Sequence, residues 1–229
     1  MTCSVSVLFG GNSVEAIEIM QEIAKQVSVC ENCNLHLTRK RSVPGEGPVN
    51  AQMLFIGEGP GSNENEMGRP FVGQAGKFLN ELIGHAGYQR QDVFITNVVK
   101  CRPPENRDPL PDELTACAVY LNQQIATINP DIIVTLGRFS MAKFFPTARI
   151  SAIHGKAAWV SDRLIVPMYH PAAALHQPNL KNVIIADFKA LPLAIEEAQK
   201  KKIAQAQKRI EIEKPVVPPA DSVEQLSLF

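Results

Sequence analysis

Apolar residues recur along this chain in two periods, and the way the periods alternate predicts the fold. From Val14 to Val29 the positions Ile17, Met20, Ile23, Ala24 and Val27 return at helical spacing, with Ser13 as the expected cap. Unbroken apolar runs near 52–56, 93–98, 131–136 and 164–169 read as strands buried on both faces, as in a parallel sheet. Helical patterns lie between and after them, near 75–86, 111–128, 138–145 and 182–207. The alternation predicts an α/β chain, a three-layer α/β/α sandwich around a central, mostly parallel four-stranded sheet with right-handed crossovers. No internal repeat interrupts it.

The ends differ from the middle. Residues 1–13 form a short leader, 14–209 the expected domain, and 210–229 a tail. A basic helical stretch, Lys200-Lys201-Lys202 through Lys208-Arg209, leads into Lys214-Pro215-Val216-Val217-Pro218-Pro219, which should be extended. A length of 229 residues suits one α/β domain with short appendages. With 23 basic and 23 acidic residues, any polyanion binding must come from local clusters. No apolar run reaches the length of a membrane span, and no basic-then-apolar leader opens the chain, so a cytoplasmic protein is expected. In that compartment the five cysteines are metal ligands or core residues rather than disulfides.

One segment points to a ligand. Met53-Leu54-Phe55-Ile56 runs into Gly57-Glu58-Gly59-Pro60-Gly61, then Gly68-Arg69-Pro70-Phe71-Val72-Gly73 to Gly76, with a helical pattern from Lys77. A strand, a glycine loop and a helix is where α/β proteins keep their ligand site. The spacing argues against a phosphate cradle: the glycines alternate, Ser62 follows them, and there is no P-loop lysine. Glu58, Glu64 and Glu66 would also repel phosphate unless a metal intervened. What remains is a rigid loop presenting a carboxylate and one aromatic, Phe71, held by Pro70. That is a pocket for something flat.

Four cysteines fit a second site. Cys30 and Cys33 form a C-x2-C pair after the first helix, Cys101 follows a strand, and Cys117 lies sixteen residues further on. Cys3 stands apart as a free thiol. Glu31-Asn32, polar and turn-like, argues against a buried apolar pair, although Cys117 alone could be a core residue. Four thiolates suit tetrahedral zinc or a cubane iron–sulfur cluster, and ligand softness does not separate the two. The loose second pair, unlike the tight pairs of zinc ribbons, leans toward iron–sulfur.

Two further stretches complete a pattern: Thr96-Asn97-Val98-Val99-Lys100-Cys101-Arg102-Pro103-Pro104 and His170-Pro171-Ala172. Together with Gly57 to Gly61 and Gly68 through Gln74-Ala75-Gly76, they resemble the family 4 uracil-DNA glycosylases, the iron–sulfur branch of that superfamily. The similarity runs in order from about Cys30 to Lys189, with all four cysteines in the family's places. It implies a [4Fe–4S] cluster on Cys30, Cys33, Cys101 and Cys117. It also implies a monofunctional enzyme that hydrolyses the N-glycosidic bond of uracil in single- or double-stranded DNA, leaving an abasic site for base-excision repair.

The chemistry assigns roles within that resemblance. A flipped base is held by its ring face and its Watson–Crick edge. Phe71 supplies the face, since stacking is worth about 1–3 kcal/mol per base. Asn97 offers one acceptor and one donor, matching N3–H and O4 of uracil and opposing cytosine. Gly59 lets the backbone approach the base. His170, fixed by Pro171, donates to O2 as charge builds on the leaving uracil. Glu58 orients water or stabilises the cationic sugar, and Glu64 crowds the C5 edge against thymine. Asn65 stands where the family commonly has an acidic residue and receives no role.

DNA contact is expected from Arg102 and Arg107 in the proline loop and from Leu175, His176 and Lys181 after His170. Leu175 takes the place of the family's apolar wedge, and His176 stands where an Arg is usual. Three rivals keep the fold: a redox-sensing nucleic-acid-binding module, a zinc-stabilised structural domain, and a covalently uracil-DNA-binding relative. The last replaces the cysteine-bearing strand end with a basic, His-bearing loop, which this chain lacks. Finally, Gln225-Leu226-Ser227-Leu228-Phe229 resembles the peptide by which bacterial repair proteins bind the sliding clamp. Leu226, Leu228 and Phe229 would supply its apolar contacts and Gln225 a rim hydrogen bond. A bacterial, nucleoid-associated monomer is the expectation that follows.

Overall fold

A computed structural model of the chain describes residues 12–213. The leader with Cys3 and the tail from 214, including Gln225, Leu226, Leu228 and Phe229, lie outside the described residues. Five strands, β1 (Met53–Gly57), β2 (Phe94–Asn97), β3 (Ile132–Leu136), β4 (Ala158–Val160) and β5 (Arg163–Met168), form one sheet ordered β2-β1-β3-β5-β4. All neighbours pair in parallel except β4, which runs antiparallel to β5. The sheet therefore has five strands, one more than expected. The extra strand, β4, is three half-buried residues joined to β5 through Ser161-Asp162, too short to show a period of its own. Its Trp159 fastens it, Nε1 donating to the Ala198 carbonyl at 2.9 Å.

The helices are α1 (Asn12–Val29), α2 (Ser62–Met67), α3 (Gln74–His85), α4 (Pro111–Ile128), α5 (Arg138–Ala142), α6 (Ile150–Ile153), α7 (Ala173–His176) and α8 (Pro178–Glu213). Successive strand residues face opposite ways, so two cores form. Met53, Phe55, Val134 and Val166 meet Leu79 and Leu82 of α3 and Ile184 and Phe188 of α8. Leu54, Ile56, Ile133 and Ile165 meet Leu121 and Ile125 of α4 on the other face, and α1 packs on α4. Phe55 and Phe188 stack with centroids 6.2 Å apart.

Helix ends account for the remaining differences. α4 spans the expected residues because Pro111 suits a first turn and Asn129, at φ 47°, ends it in the left-handed region. α1 begins at Asn12, which puts Ser13 inside the helix. α3 begins at Gln74, earlier than Lys77, behind the extended Gly73. α8 starts at Pro178 and continues to Glu213, past the expected end at 207. Among the described residues no helix is long and apolar enough to cross a membrane.

Candidate active site

The carboxyl ends of β1, β2 and β5 converge on one cleft of about 420 Å³. β1 is flanked by β2 and β3, the reversal in strand order beside which α/β sheets bind ligands. Glu58, Gly59, Glu64, Phe71, Asn97, Arg107, His170 and His176, all expected in the site, line it. Pro60, Pro103, Asn106 and Ala172, from the same motifs and loops, line it as well.

Phe71 is buried and belongs to the main core as well as to the cleft wall. Its φ is 51°, a region that bulky side chains rarely enter. The ring lies 5.7 Å from that of His170 at an interplanar angle of 28°. Beside it, Asn97 is 1 % exposed, and its Oδ1 has no hydrogen-bond partner among the described residues. A buried acceptor left unpaired costs about 1–3 kcal/mol, so this oxygen can accept a donor that enters the cleft.

His170 follows β5. Its Nδ1 faces the Ala172 N–H at 3.1 Å, and since an amide N–H can only donate, Nδ1 accepts. The neutral ring therefore carries its proton on Nε2. Burial draws its pKa down to about 4, against a weaker upward pull from Glu64. A neutral donor, not an imidazolium, faces the cleft at ordinary pH.

Glu58 is half-buried, and that burial raises its pKa; the Asp108 carboxylate adds to the rise and Arg138 opposes it. Arg138 and Asp108 pair with each other at the surface. Glu64 is more committed than expected. Its carboxylate accepts from the N–H groups of Gly61 (3.1 Å), Val72 (2.9 Å) and Gly73 (2.9 Å), stapling the two halves of the glycine loop.

The basic residues expected at DNA divide. Arg107 lines the cleft, but its guanidinium forks onto buried Glu113 at 2.8 and 2.6 Å. Glu113 also accepts from the Leu110 N–H, so Arg107 serves the start of α4 as well as lining the cleft. Lys181 sits off the cleft with its ammonium 5.7 Å from the Phe78 ring centroid. Arg102, also off the cleft lining, donates through Nε to Asn106 at 2.8 Å. Leu175, on α7, is 52 % exposed.

The four cysteines line a second, much smaller cavity of about 10 Å³, walled by Val27, Leu35 and Tyr120. Arg39 donates to Cys101 Sγ at 3.5 Å and to the Cys30 carbonyl at 2.8 Å. The Lys100 N–H donates to Cys117 Sγ at 3.3 Å. Among the described residues no three His, Cys, Asp or Glu side chains close on one point as ligands of a single ion. Lys100 itself is fully buried, its ammonium donating to Thr96 Oγ1 (2.6 Å), the Asn97 carbonyl (2.9 Å) and Gln124 Oε1 (2.6 Å). Burial lowers its pKa to about 8.

Fold and cleft define an α/β protein with a cleft at its strand ends, walled by the Phe71 ring and by polar side chains. The family model described as "Uracil DNA glycosylase superfamily" matches residues 44–189. The chain is 46% identical over 185 residues to the type-4 uracil-DNA glycosylase of Sulfurisphaera tokodaii, covering 76% of this chain and 84% of that one. It is 47% identical over 183 residues to that of Saccharolobus solfataricus (76% and 85% covered). To that of Thermotoga maritima it is 41% identical over 175 residues (74% and 91%). The chain belongs to the uracil DNA glycosylase superfamily, among its type-4 members.

The state of His170 has a measurable consequence. The unfolded chain protonates this residue near pH 6.5, the folded chain only near 4. Its share of stability is intact above 6.5 and falls as the pH drops from 6.5 toward 4, because the unfolded state takes the proton first. The imidazole NMR shifts of His170 should stay flat from pH 8 to 5. His170→Gln should lose less stability than the parent between pH 7 and 5, by on the order of 1 kcal/mol given partial exposure. A titration midpoint near 6.5 would remove the neutral-donor assignment.

Proposed function

We propose that this protein hydrolyses the N-glycosidic bond of uracil in DNA, releasing free uracil and leaving an abasic site. The observation that carries this reading is the unpaired, buried Oδ1 of Asn97 in a cleft walled by Phe71 and His170. Uracil supplies what that oxygen lacks: N3–H donates to it, while the amide nitrogen meets O4. Cytosine presents an acceptor at N3 and an amine at C4, which would leave both pairs mismatched in a dry site. The base stacks on Phe71, with Gly59 admitting it close to the backbone.

Bond cleavage follows from the same walls. As the C1′–N1 bond breaks, the electron pair moves into the uracil ring and charge gathers on O2. The Nε2–H of neutral His170 donates there without surrendering its proton, which stabilises the anion as it leaves. Glu58 orients the water that adds to C1′ and supports the positive charge on the sugar. Glu64 acts by holding the loop rather than by touching C5. Among the described residues no lysine lines the cleft, and Lys100 is bound to three acceptors, which favours simple hydrolysis over amine chemistry on the abasic product.

Cys30, Cys33, Cys101 and Cys117 would hold a [4Fe–4S] cluster. A cubane takes thiolates around a cavity, whereas zinc needs all four sulfurs at about 2.3 Å from one centre. The apolar walls, the Lys100 N–H and Arg39 supply the hydrogen bonds and shelter such a cluster requires. When bound it would clip α1, the end of β2 and α4 together. Arg102 and His176 would meet DNA at the rim and Leu175 would enter the stack. On sequence alone, 14–209 is the glycosylase unit and Gln225, Leu226, Leu228 and Phe229 bind a sliding clamp.

Four measurements test this. Cluster-loaded protein, incubated with an oligonucleotide containing one uracil and then treated with alkali, should cut at that position; an intact strand would end the enzyme reading. Asn97→Leu should lower kcat/KM about 100-fold and His170→Ala should lower kcat by roughly 10²–10³. Purified protein should contain about four irons and four sulfides per chain, with a broad visible absorbance that Cys117→Ser diminishes; stoichiometric zinc would refute the cluster. Removing residues 225–229 should abolish binding to a bacterial sliding clamp while sparing uracil release. Loss of both would make the tail part of the fold.

A further inference from the structure

We infer that Arg90, which lies outside the cleft, is a positioning residue for the base: it holds Phe71 in the pose that stacks on uracil. The inference rests on the reading of Phe71 as the stacking wall. Arg90 sits in the short 3-10 segment before β2. Its Nη2 donates to the Pro70 carbonyl at 2.6 Å and its Nη1 to the Phe71 carbonyl at 3.3 Å. The same guanidinium reaches Asn80 Oδ1 of α3 at 3.0 Å and Glu46 Oε1 at 3.3 Å. One planar fork thus grips consecutive carbonyls at the point where the chain takes its unfavourable turn, φ 51° at an aromatic residue.

The other end of this frame is fixed to the base-reading strand. Glu46 and Ile95 exchange two backbone hydrogen bonds, at 2.9 and 2.8 Å, and Ile95 lies two residues before Asn97 on β2. Glu46 then holds Arg90 and, through a second fork at 2.6 and 2.9 Å, Arg69 of the glycine loop. The two walls of the cleft, Asn97 and Phe71, are therefore joined through Glu46 and Arg90. From the far side, a Cβ on Gly76 would fall 2.0 Å from the Phe71 carbonyl oxygen, so α3 starts flush against the same peptide. With Glu46 between them, Arg69 and Arg90 have a counter-ion already in the surface recess that all three line.

A stabilising arginine and a positioning arginine differ in what they couple to. Arg90→Gln, Phe71→Ala and the double variant are compared in cluster-loaded full-length protein. The readouts are single-turnover uracil release, inhibition by free uracil and thermal unfolding. Arg90→Gln should slow release about 10- to 100-fold and weaken inhibition by uracil roughly tenfold. In the Phe71→Ala background the same change should alter both by less than about threefold, while the unfolding midpoint shifts equally in both backgrounds. Arg90→Lys, which keeps the charge but not the fork, should recover little, and it takes the place of Arg90→Gln in the cycle should that variant not fold. An effect of Arg90→Gln undiminished by Phe71→Ala, or no effect at all, overturns the inference alone. A Phe71→Ala enzyme with normal release and inhibition overturns the stacking reading and this inference with it.

Discussion

The cleft depends on a missing methyl group. Parallel pairing of β1 with β2 sets Gly57 opposite Asn97. A Cβ there would lie 2.4 Å from Asn97 Oδ1 and 2.5 Å from Phe71 Cζ. No rotamer change relieves both contacts, because one neighbour is fixed by the sheet and the other by a constrained loop. Gly137 repeats the arrangement across the cleft, where a Cβ would meet His170 Cβ at 3.1 Å and φ is 89°. Backbone therefore forms the floor, and the three side chains that matter stand around it at the spacing the strands impose. Walls this close bury Asn97 Oδ1, and burial is what turns an unpaired amide oxygen into a selective group.

Short-range electrostatics matter more here than net charge. The formal charge is +0, and the cations near the cleft are largely spoken for: Arg107 by Glu113, Arg138 by Asp108, Lys100 by three oxygens. His170 is held neutral by burial, which outweighs the upward pull of Glu64, and this suits a hydrogen-bond donor that must not act as an acid. Glu58 is shifted the opposite way, its carboxylate raised by burial and by Asp108. Two titratable groups in one cleft thus both resist charging. Interactions with charge that develops during bond cleavage are worth most in such surroundings.

Sequence patterning made the architecture legible where burial is continuous. The four long apolar runs are β1, β2, β3 and β5, and α4 begins and ends where its proline and asparagine require. The site residues were legible too, because strand ends and glycine loops place them with little help from elsewhere; seven of the expected side chains and Gly59 meet in one cleft. What escaped was tertiary. Glu64 and Glu113 each reach back from the third helical position to the N–H of the cap residue, yet those caps are Gly61 and Leu110. Without a Ser or Thr at the cap, the usual pattern is invisible. The Arg107–Glu113 pair was invisible too, because Glu113 becomes a partner only once α4 forms. Arg90 carried no signal at all, since the carbonyls it grips are about twenty residues away in the chain.

Lys100 links the two cavities. Within one stretch of β2 and its exit, Asn97 faces the cleft, Lys100 is sealed below it, and Cys101 lines the cysteine cavity. The ammonium of Lys100 holds the Asn97 carbonyl, its N–H holds Cys117, and its own carbonyl accepts from Val43 at 2.8 Å. This junction ties the thiol site to the peptide that carries Asn97. It also explains why a lysine, with its heavy desolvation penalty, is tolerated at the centre of the molecule: three acceptors satisfy its three protons, and each belongs to an element the cleft needs held.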